Sequence, residues 1–304
     1  VRRPGTTLRA SVRLPPALRP GDRVAIFAGS SPFDATLAWR GLGWLASRYR
    51  VLFDRSMFSR QGYLAGDDGR RRAELEKYLG DPAVKALVAV RGGYGLSRIA
   101  HELPWGLLQQ HPRWVVGFSD VTALHVEASS VGVASIHGPM VAALGRADGW
   151  TRSRFIETLE NPEGAWALRG LEALRRGQAR GPLVGGNLTM LHACAAAGRL
   201  SLPEGCLLLL EDVTERPYRI DRMLSTLAAG GHLRRAAGVV VGDFSECPPG
   251  LDRVTVGEVL GDRLGALGVP VVRGAPIGHE PRNTPVVLGR SYHLDADGGE
   301  LRGC

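Results

Sequence analysis

Three side chains suited to acyl transfer stand at or near the ends of apolar, extended segments: Ser119, Glu211 and His279. Ser119 follows Trp114-Val115-Val116-Gly117-Phe118, a short strand pattern, and precedes Val121 to Ala128, which reads as a helix start. A serine on such a turn projects its hydroxyl clear of the backbone, and the helix N–H groups lie close to any negative charge that develops there. The position also suits an N-cap, for which Ser119 and Asp120 are both favoured residue types. Glu211 closes the run Leu207-Leu208-Leu209-Leu210, and His279 follows Gly278 after the apolar stretch from Val271 to Ile277. A serine hydroxyl is a weak nucleophile until a neutral imidazole takes its proton. The imidazole in turn needs a carboxylate to hold its tautomer and stabilise the imidazolium.

Arg91-Gly92-Gly93-Tyr94-Gly95 follows the strand pattern that ends at Val90. As a dinucleotide fingerprint it fails, because Arg98 stands where the third Gly or Ala belongs and no acidic residue ends a following strand at the required distance. The missing side chains fit another use. They let a substrate carbonyl approach the backbone, so that the N–H of Gly92 or Gly93 and that of Asp120 form an oxyanion hole; a tight turn with no ligand is the plainer alternative. His137, at another strand end, rivals His279, and a structural hydrogen-bonding role is expected for it. Asp212 and Asp221 compete with Glu211, while His125 and His192 fall on helix patterns and are expected in the core.

The elements that must position these groups alternate. Strand patterns at 23–28, 51–53, 84–90, 114–118 and 133–137 are separated by helix patterns, including 37–49 and 69–79. Short apolar strands alternating with helices predict a parallel sheet covered on both faces, with ligands bound beyond the carboxyl ends of its strands, where Ser119 lies. The pattern weakens from about 148 to 181, and the second part mixes strands (206–210, 238–242) with helices (187–197, 220–229). The expected division is a mobile basic tail over 1–19, an N-terminal α/β domain over 20–148, a linker over 149–181 and a C-terminal domain over 182–304.

Composition narrows the function. The 304 residues carry 44% hydrophobic and 22% charged residues, ordinary for a globular protein able to bury a sizeable core. The formal net charge of +8 could suit a polyanion, but Lys77 and Lys85 are the only lysines and no aromatics interleave with the arginines to form a stacking platform. No nucleic-acid partner is expected. Cys194, Cys206, Cys247 and Cys304 form no metal-ligand spacing and no disulfide framework. No secretory or membrane-spanning segment is visible either. The expectation is a reduced, cytoplasmic enzyme with no metal, no cofactor and no membrane partner.

Five segments together resemble the LD-carboxypeptidases, serine peptidases that include muramoyl-tetrapeptide carboxypeptidase and the microcin-immunity peptidases. They are Arg91 to Gly95; Gly117-Phe118-Ser119-Asp120-Val121-Thr122-Ala123-Leu124; His137-Gly138-Pro139-Met140; Gly185-Gly186-Asn187-Leu188 with Leu210-Glu211-Asp212 and Pro217 to Arg222; and Pro276-Ile277-Gly278-His279. They run in family order from about Pro20 to Asp295. The resemblance implies that Ser119 is the nucleophile, His279 the base and Glu211 the acid that orients it. It also implies an α/β fold, with an N-terminal flavodoxin-like parallel-sheet domain and a C-terminal mixed α/β domain built around a small barrel-like sheet, in a homodimer with the site between the domains. Three departures stand out. Ala28-Gly29-Ser30-Ser31 replaces the usual Ala-Pro-Ser-Ser, Glu280 replaces a Gly after the histidine, and Val121 fills the last position of a G-x-S-x-G elbow.

The expected activity is hydrolysis of the amide bond to a C-terminal D-amino acid, the D-Ala of the murein tetrapeptide, during wall recycling. A microcin-immunity type peptidase acting on peptidyl or aminoacyl nucleotides is the alternative within the family. A non-catalytic small-ligand binding protein is the alternative outside it.

Overall fold

The computed structural model describes residues 12–304. The first half contains β1 (Arg23–Phe27), α1 (Ala35–Ala46), β2 (Arg50–Leu52), α2 (Asp68–Gly80), β3 (Val84–Ala89), α3 (Leu96–Ile99) and α4 (Trp105–Gln110). It continues with β4 (Trp114–Gly117), α5 (Thr122–Ser130), β5 (Ser135–His137), α6 (Val141–Leu144) and α7 (Gly149–Glu160). The second half contains β6 (Ala167–Arg169), β7 (Glu172–Arg175), β8 (Gln178–Asn187), α8 (Leu188–Ala196), β9 (Cys206–Val213), α9 (Pro217–Ala229) and β10 (Ala236–Ser245). It closes with α10 (Val256–Gly265), β11 (Val271–Arg273), β12 (Val286–Leu288), β13 (Ser291–Asp295) and β14 (Glu300–Gly303).

Two sheets result, and the fold is α/β as expected. The first has the order β12-β5-β4-β3-β1-β2, with β1 to β5 parallel and β12 antiparallel at its edge. Alternate residues of its strands enter two different cores. Val24, Ile26, Val88 and Val116 pack on one face, and Ala25, Phe27, Leu87 and Val115 on the other. Burial on both faces is why these strands read as unbroken apolar runs. Each fully buried Val, Leu or Ile contributes about 1.5–3 kcal/mol relative to an exposed one.

The second sheet runs β6-β14-β13-β8-β9-β10-β11-β7. Its centre, β8 to β11, is parallel, and its flanks are antiparallel. The sheet is open, with β6 and β7 as its outer strands, rather than a closed barrel. In β9 the period of two again sorts the leucines. Leu208 and Leu210 join the core under α8, α9 and α10, whereas Leu207 and Leu209 face Val240, Val272, Ile277 and Tyr292. The same alternation carries Glu211 to the second of these faces and Asp212 to the helical one.

Three segments differ from the sequence expectation. Of the basic tail, residues 1–11 lie outside the described residues, but 12–19 are packed: Leu18 is buried, and the Arg13 backbone bonds to Gly132 and Ala134. The stretch over 149–181 is built structure, made of α7, β6, β7 and the start of β8; Phe155 and Leu159 of α7 belong to the core of the first sheet. Finally, β12 comes from the C-terminal part of the chain yet completes the first sheet beside β5.

Candidate active site

The elbow after β4 is strained and tightly held. Ser119 begins a 3₁₀ turn (Ser119–Val121) with φ 63°, a conformation that a non-glycine residue keeps only where its surroundings enforce it. Asp120 supplies part of that enforcement. Its buried Oδ2 accepts the Ser30 hydroxyl at 2.7 Å and the Leu96 N–H at 2.9 Å, tying the elbow to the loop after β1 and to the start of α3. Burial pushes the Asp120 carboxyl up to about 6 despite those donors. Neither Ser119 nor Asp120 caps α5. Its cap residue is Val121, with no side-chain cap bond. Behind the elbow, Gly117 O is bonded to Gly138 N–H and to His125 Nε2, whose ring burial pushes down to about 3.

The glycine segment lies directly against the serine. A Cβ on Gly92 would stand 3.0 Å from Ser119 Cβ and 3.2 Å from its Oγ, so the space over the hydroxyl exists because residue 92 has no side chain. Ser31 locks this segment, donating its N–H to Gly92 O at 3.3 Å and accepting Tyr94 N–H on its hydroxyl at 3.1 Å.

The second sheet supplies the other groups. Glu211, fully buried near the end of β9, accepts from His279 Nδ1 on Oε2 at 2.7 Å. Burial alone would raise the Glu211 pKa, but His137 and His279 outweigh it and hold the carboxyl below its ordinary value. An ionised carboxylate at Nδ1 fixes the proton there and leaves Nε2 free to accept. Gly278 makes the pairing possible. It adopts φ +146°, and a Cβ there would stand 2.9 Å from Asp243 Cβ and 3.2 Å from Glu211 Oε2. The Phe118 ring, adjacent to Ser119, meets the His279 ring edge-on at 4.8 Å and so brings the elbow to the histidine. Among the described residues the Ser119 hydroxyl has no hydrogen-bond partner; such contacts tighten on substrate binding.

The rivals have other employment. Asp212, on the helical face, accepts from Asn187 Nδ2 at 2.9 Å and from the N–H and hydroxyl of Thr189. Asp221 pairs with Arg263 at 2.5 Å on the surface. His137 is fully buried, with Nε2 3.7 Å from Glu211 Oε1. Glu280, the departure after the histidine, is exposed, and its N–H donates to Asp243 Oδ2 at 3.3 Å. Asp243 escaped the sequence reading. It sits near the carboxyl end of β10, and burial, with Glu280 and Glu211 nearby, pushes it up to about 6. Its position just past the apolar run 238–242 was the available signal. Phe118 escaped as well, because only the fold shows its ring against that of His279. Among the described residues no group of three or more His, Cys, Asp or Glu side chains could hold a metal ion, and no helix is long and apolar enough to cross a membrane.

Residues 24–138 match the LD-carboxypeptidase N-terminal domain, and residues 180–294 match the LD-carboxypeptidase C-terminal domain. The murein tetrapeptide carboxypeptidase of Pseudomonas aeruginosa is 32% identical over 266 residues, covering 82% of this chain and 84% of that one. The crystal structure of muramoyltetrapeptide carboxypeptidase from Oxalobacter formigenes superposes with a TM-score of 0.83 at 30% identity, covering 92% of this chain and 97% of that one. The microcin C7 self-immunity protein MccF, in complex with aspartyl sulfamoyl adenosine, shares the fold at a TM-score of 0.86. Its identity is 19%, over 96% of this chain and 98% of that one.

Proposed function

The chain belongs to the LD-carboxypeptidase family of serine-type carboxypeptidases, and from that premise we propose that it releases the C-terminal D-alanine of the murein tetrapeptide. Ser119 is the nucleophile, His279 Nε2 its general base and Glu211 the carboxylate that orients the imidazole. The Glu211–His279 hydrogen bond at 2.7 Å carries this reading, together with the ring of Phe118, the residue before the strained Ser119, 4.8 Å from the His279 ring.

Ser119 Oγ attacks the scissile carbonyl as its proton passes to His279 Nε2. The N–H of Gly92 or Gly93 and that of Asp120 face the developing oxyanion. His279 then returns the proton to the amine of the departing D-alanine. Water, activated by the same imidazole, releases the tripeptide from Ser119. No metal or cofactor enters these steps. The proposal also places the protein in the cytoplasm, in line with cysteines whose spacing forms no disulfide framework. A homodimer completes the proposal, to be checked by light scattering.

One observation keeps a second substrate class in view. Tyr94 directly follows Gly93 and pairs with Tyr63 at 5.8 Å, both rings exposed, so an aromatic surface that a nucleobase can stack on borders the glycine segment. Incubation with murein tetrapeptide and, separately, with aspartyl sulfamoyl adenosine, each followed by mass spectrometry with and without EDTA, decides between them. Loss of one alanine from the tetrapeptide, unaffected by EDTA, is expected. An intact tetrapeptide alongside a cleaved sulfamoyl adenosine would assign the second class, and no turnover of either would leave a binding protein.

A further inference from the structure

Glu211 has two carboxylate oxygens, and each faces an imidazole. Oε2 lies 2.7 Å from His279 Nδ1, and Oε1 lies 3.7 Å from His137 Nε2, with Glu211 and His137 both wholly shielded from solvent. Among the described residues, Oε1 and both ring nitrogens of His137 have no hydrogen-bond partner. A buried carboxylate with an unsatisfied oxygen is strongly unfavourable, and the nearby imidazole can supply the missing donor. About 0.8 Å separates the present distance from an ordinary N–H···O length near 2.9 Å.

His137 is also well placed to act as a fixed point. Its backbone pairs with Gly117 of β4 on one side and Val286 of β12 on the other, so it belongs firmly to the first sheet. Glu211 belongs to the second. The Phe118 ring stands 5.7 Å from the His137 ring and 4.8 Å from the His279 ring, against both imidazoles that face the carboxylate. The titratable groups around the pair are His125 from α5, with its ring 6.4 Å from His137, His279 from the turn after β11, and Asp243 from β10.

We propose that His137 is a positioning residue for the hydrolysis: its Nε2–H donates to Glu211 Oε1 and holds the carboxylate with Oε2 aimed at His279. The inference rests on the roles given above to Ser119, Glu211 and His279. It makes the oriented acid a joint product of both sheets, since one sheet supplies the carboxylate and the other its second anchor.

The test compares His137→Phe, which keeps a ring but loses the donor, with His137→Gln, whose amide N–H reaches close to the Nε2 position. Turnover of murein tetrapeptide is measured across pH, with circular dichroism to establish folding. His137→Phe is expected to lower kcat roughly 10- to 100-fold, the effect of losing a hydrogen bond to a charged group, with KM changed less than about threefold. The acid limb of its kcat/KM profile moves to higher pH, because a carboxylate short of a donor holds a proton more tightly, on itself or on His279. His137→Gln restores most of kcat and the position of the limb. If His137→Phe does not fold, His137→Leu serves as the donor-free control. A donor-free variant with wild-type kcat and an unmoved acid limb overturns the proposal, as does a folded His137→Gln no better than that control. Ser119→Ala run in parallel separates the two levels: turnover there rejects the site itself, whereas its loss beside an unaffected donor-free variant rejects only the role of His137.

Discussion

At the elbow, Ser119 is held through its backbone: φ 63° is kept by a buried Asp120 bonded to Ser30 and Leu96, and Gly92 leaves only enough room above the hydroxyl for another group to approach. At the histidine turn the hold is through side chains. His279 rides on Gly278, a residue with no side chain of its own, and its ring is steadied by Glu211 and the Phe118 edge, with Asp243 fixing the next N–H. The first arrangement stores strain in a rigid frame, and the second lets a ring stay in register through contacts that a single substitution removes. The proposed nucleophile should therefore respond to changes in space, and the proposed base to changes in charge and donors.

The largest expected break in that comparison is on the base side. His279→Ala should keep the fold, since the ring is partly exposed, yet lower kcat about a millionfold, the scale seen when a serine protease loses its base. Tetrapeptide turnover within tenfold of wild type would remove His279 from the mechanism. Next comes Glu211→Gln, expected to cost about 10⁴-fold, as the matching acid-to-amide change does in a serine protease. Its neighbour gives the contrast. Asp212→Asn should leave kcat within a few-fold but destabilise the chain by about 1–3 kcal/mol, because it disturbs the buried contacts with Asn187 and Thr189. Kinetics and urea denaturation of the two variants would reverse the assignment if the effects were exchanged.

That contrast also shows how far the sequence could be read. Both acids close the same leucine run, and the alternation within it already separates them: Glu211 shares a face with Leu207 and Leu209, Asp212 with Leu208 and Leu210. The parallel strands of the first sheet and the elbow at Ser119 were legible for a similar reason, since burial on both faces leaves continuous apolar runs that end where the site begins. Strand β12 was not, because three residues carry little pattern and their partner, β5, lies far away in sequence. The short strands β6 and β7 escaped on the same ground, their partners β14 and β11 being equally distant. Nor could composition place His137 against Glu211, which needs the two sheets to meet.

On the nucleophile side the expected effect is steric and smaller. Gly92→Ala should lower kcat by about 10²–10³-fold, comparable to losing an oxyanion-hole donor, since its methyl would stand 3.2 Å from Ser119 Oγ. Near-normal turnover would show that the carbonyl approaches from elsewhere. The smallest effect concerns Asp243. Its folded value of about 6 lies above the ordinary carboxyl near 3.9. Between those values the folded state binds more protons than the unfolded one, so its contribution to stability falls as pH rises through this window. Asp243→Asn removes that loss while keeping an acceptor for Glu280 N–H. Its melting temperature relative to wild type should therefore climb from pH 4 to about 6 and then level off. A difference independent of pH would contradict the placement of this carboxyl.

The most direct test is the release of D-alanine from murein tetrapeptide by wild type and by Ser119→Ala, at equal concentrations of folded protein. Removing one hydroxyl should leave the melting temperature nearly unchanged and lower turnover about a millionfold. A Ser119→Ala protein that still releases D-alanine at a rate near that of wild type would contradict the assignment of Ser119 as nucleophile.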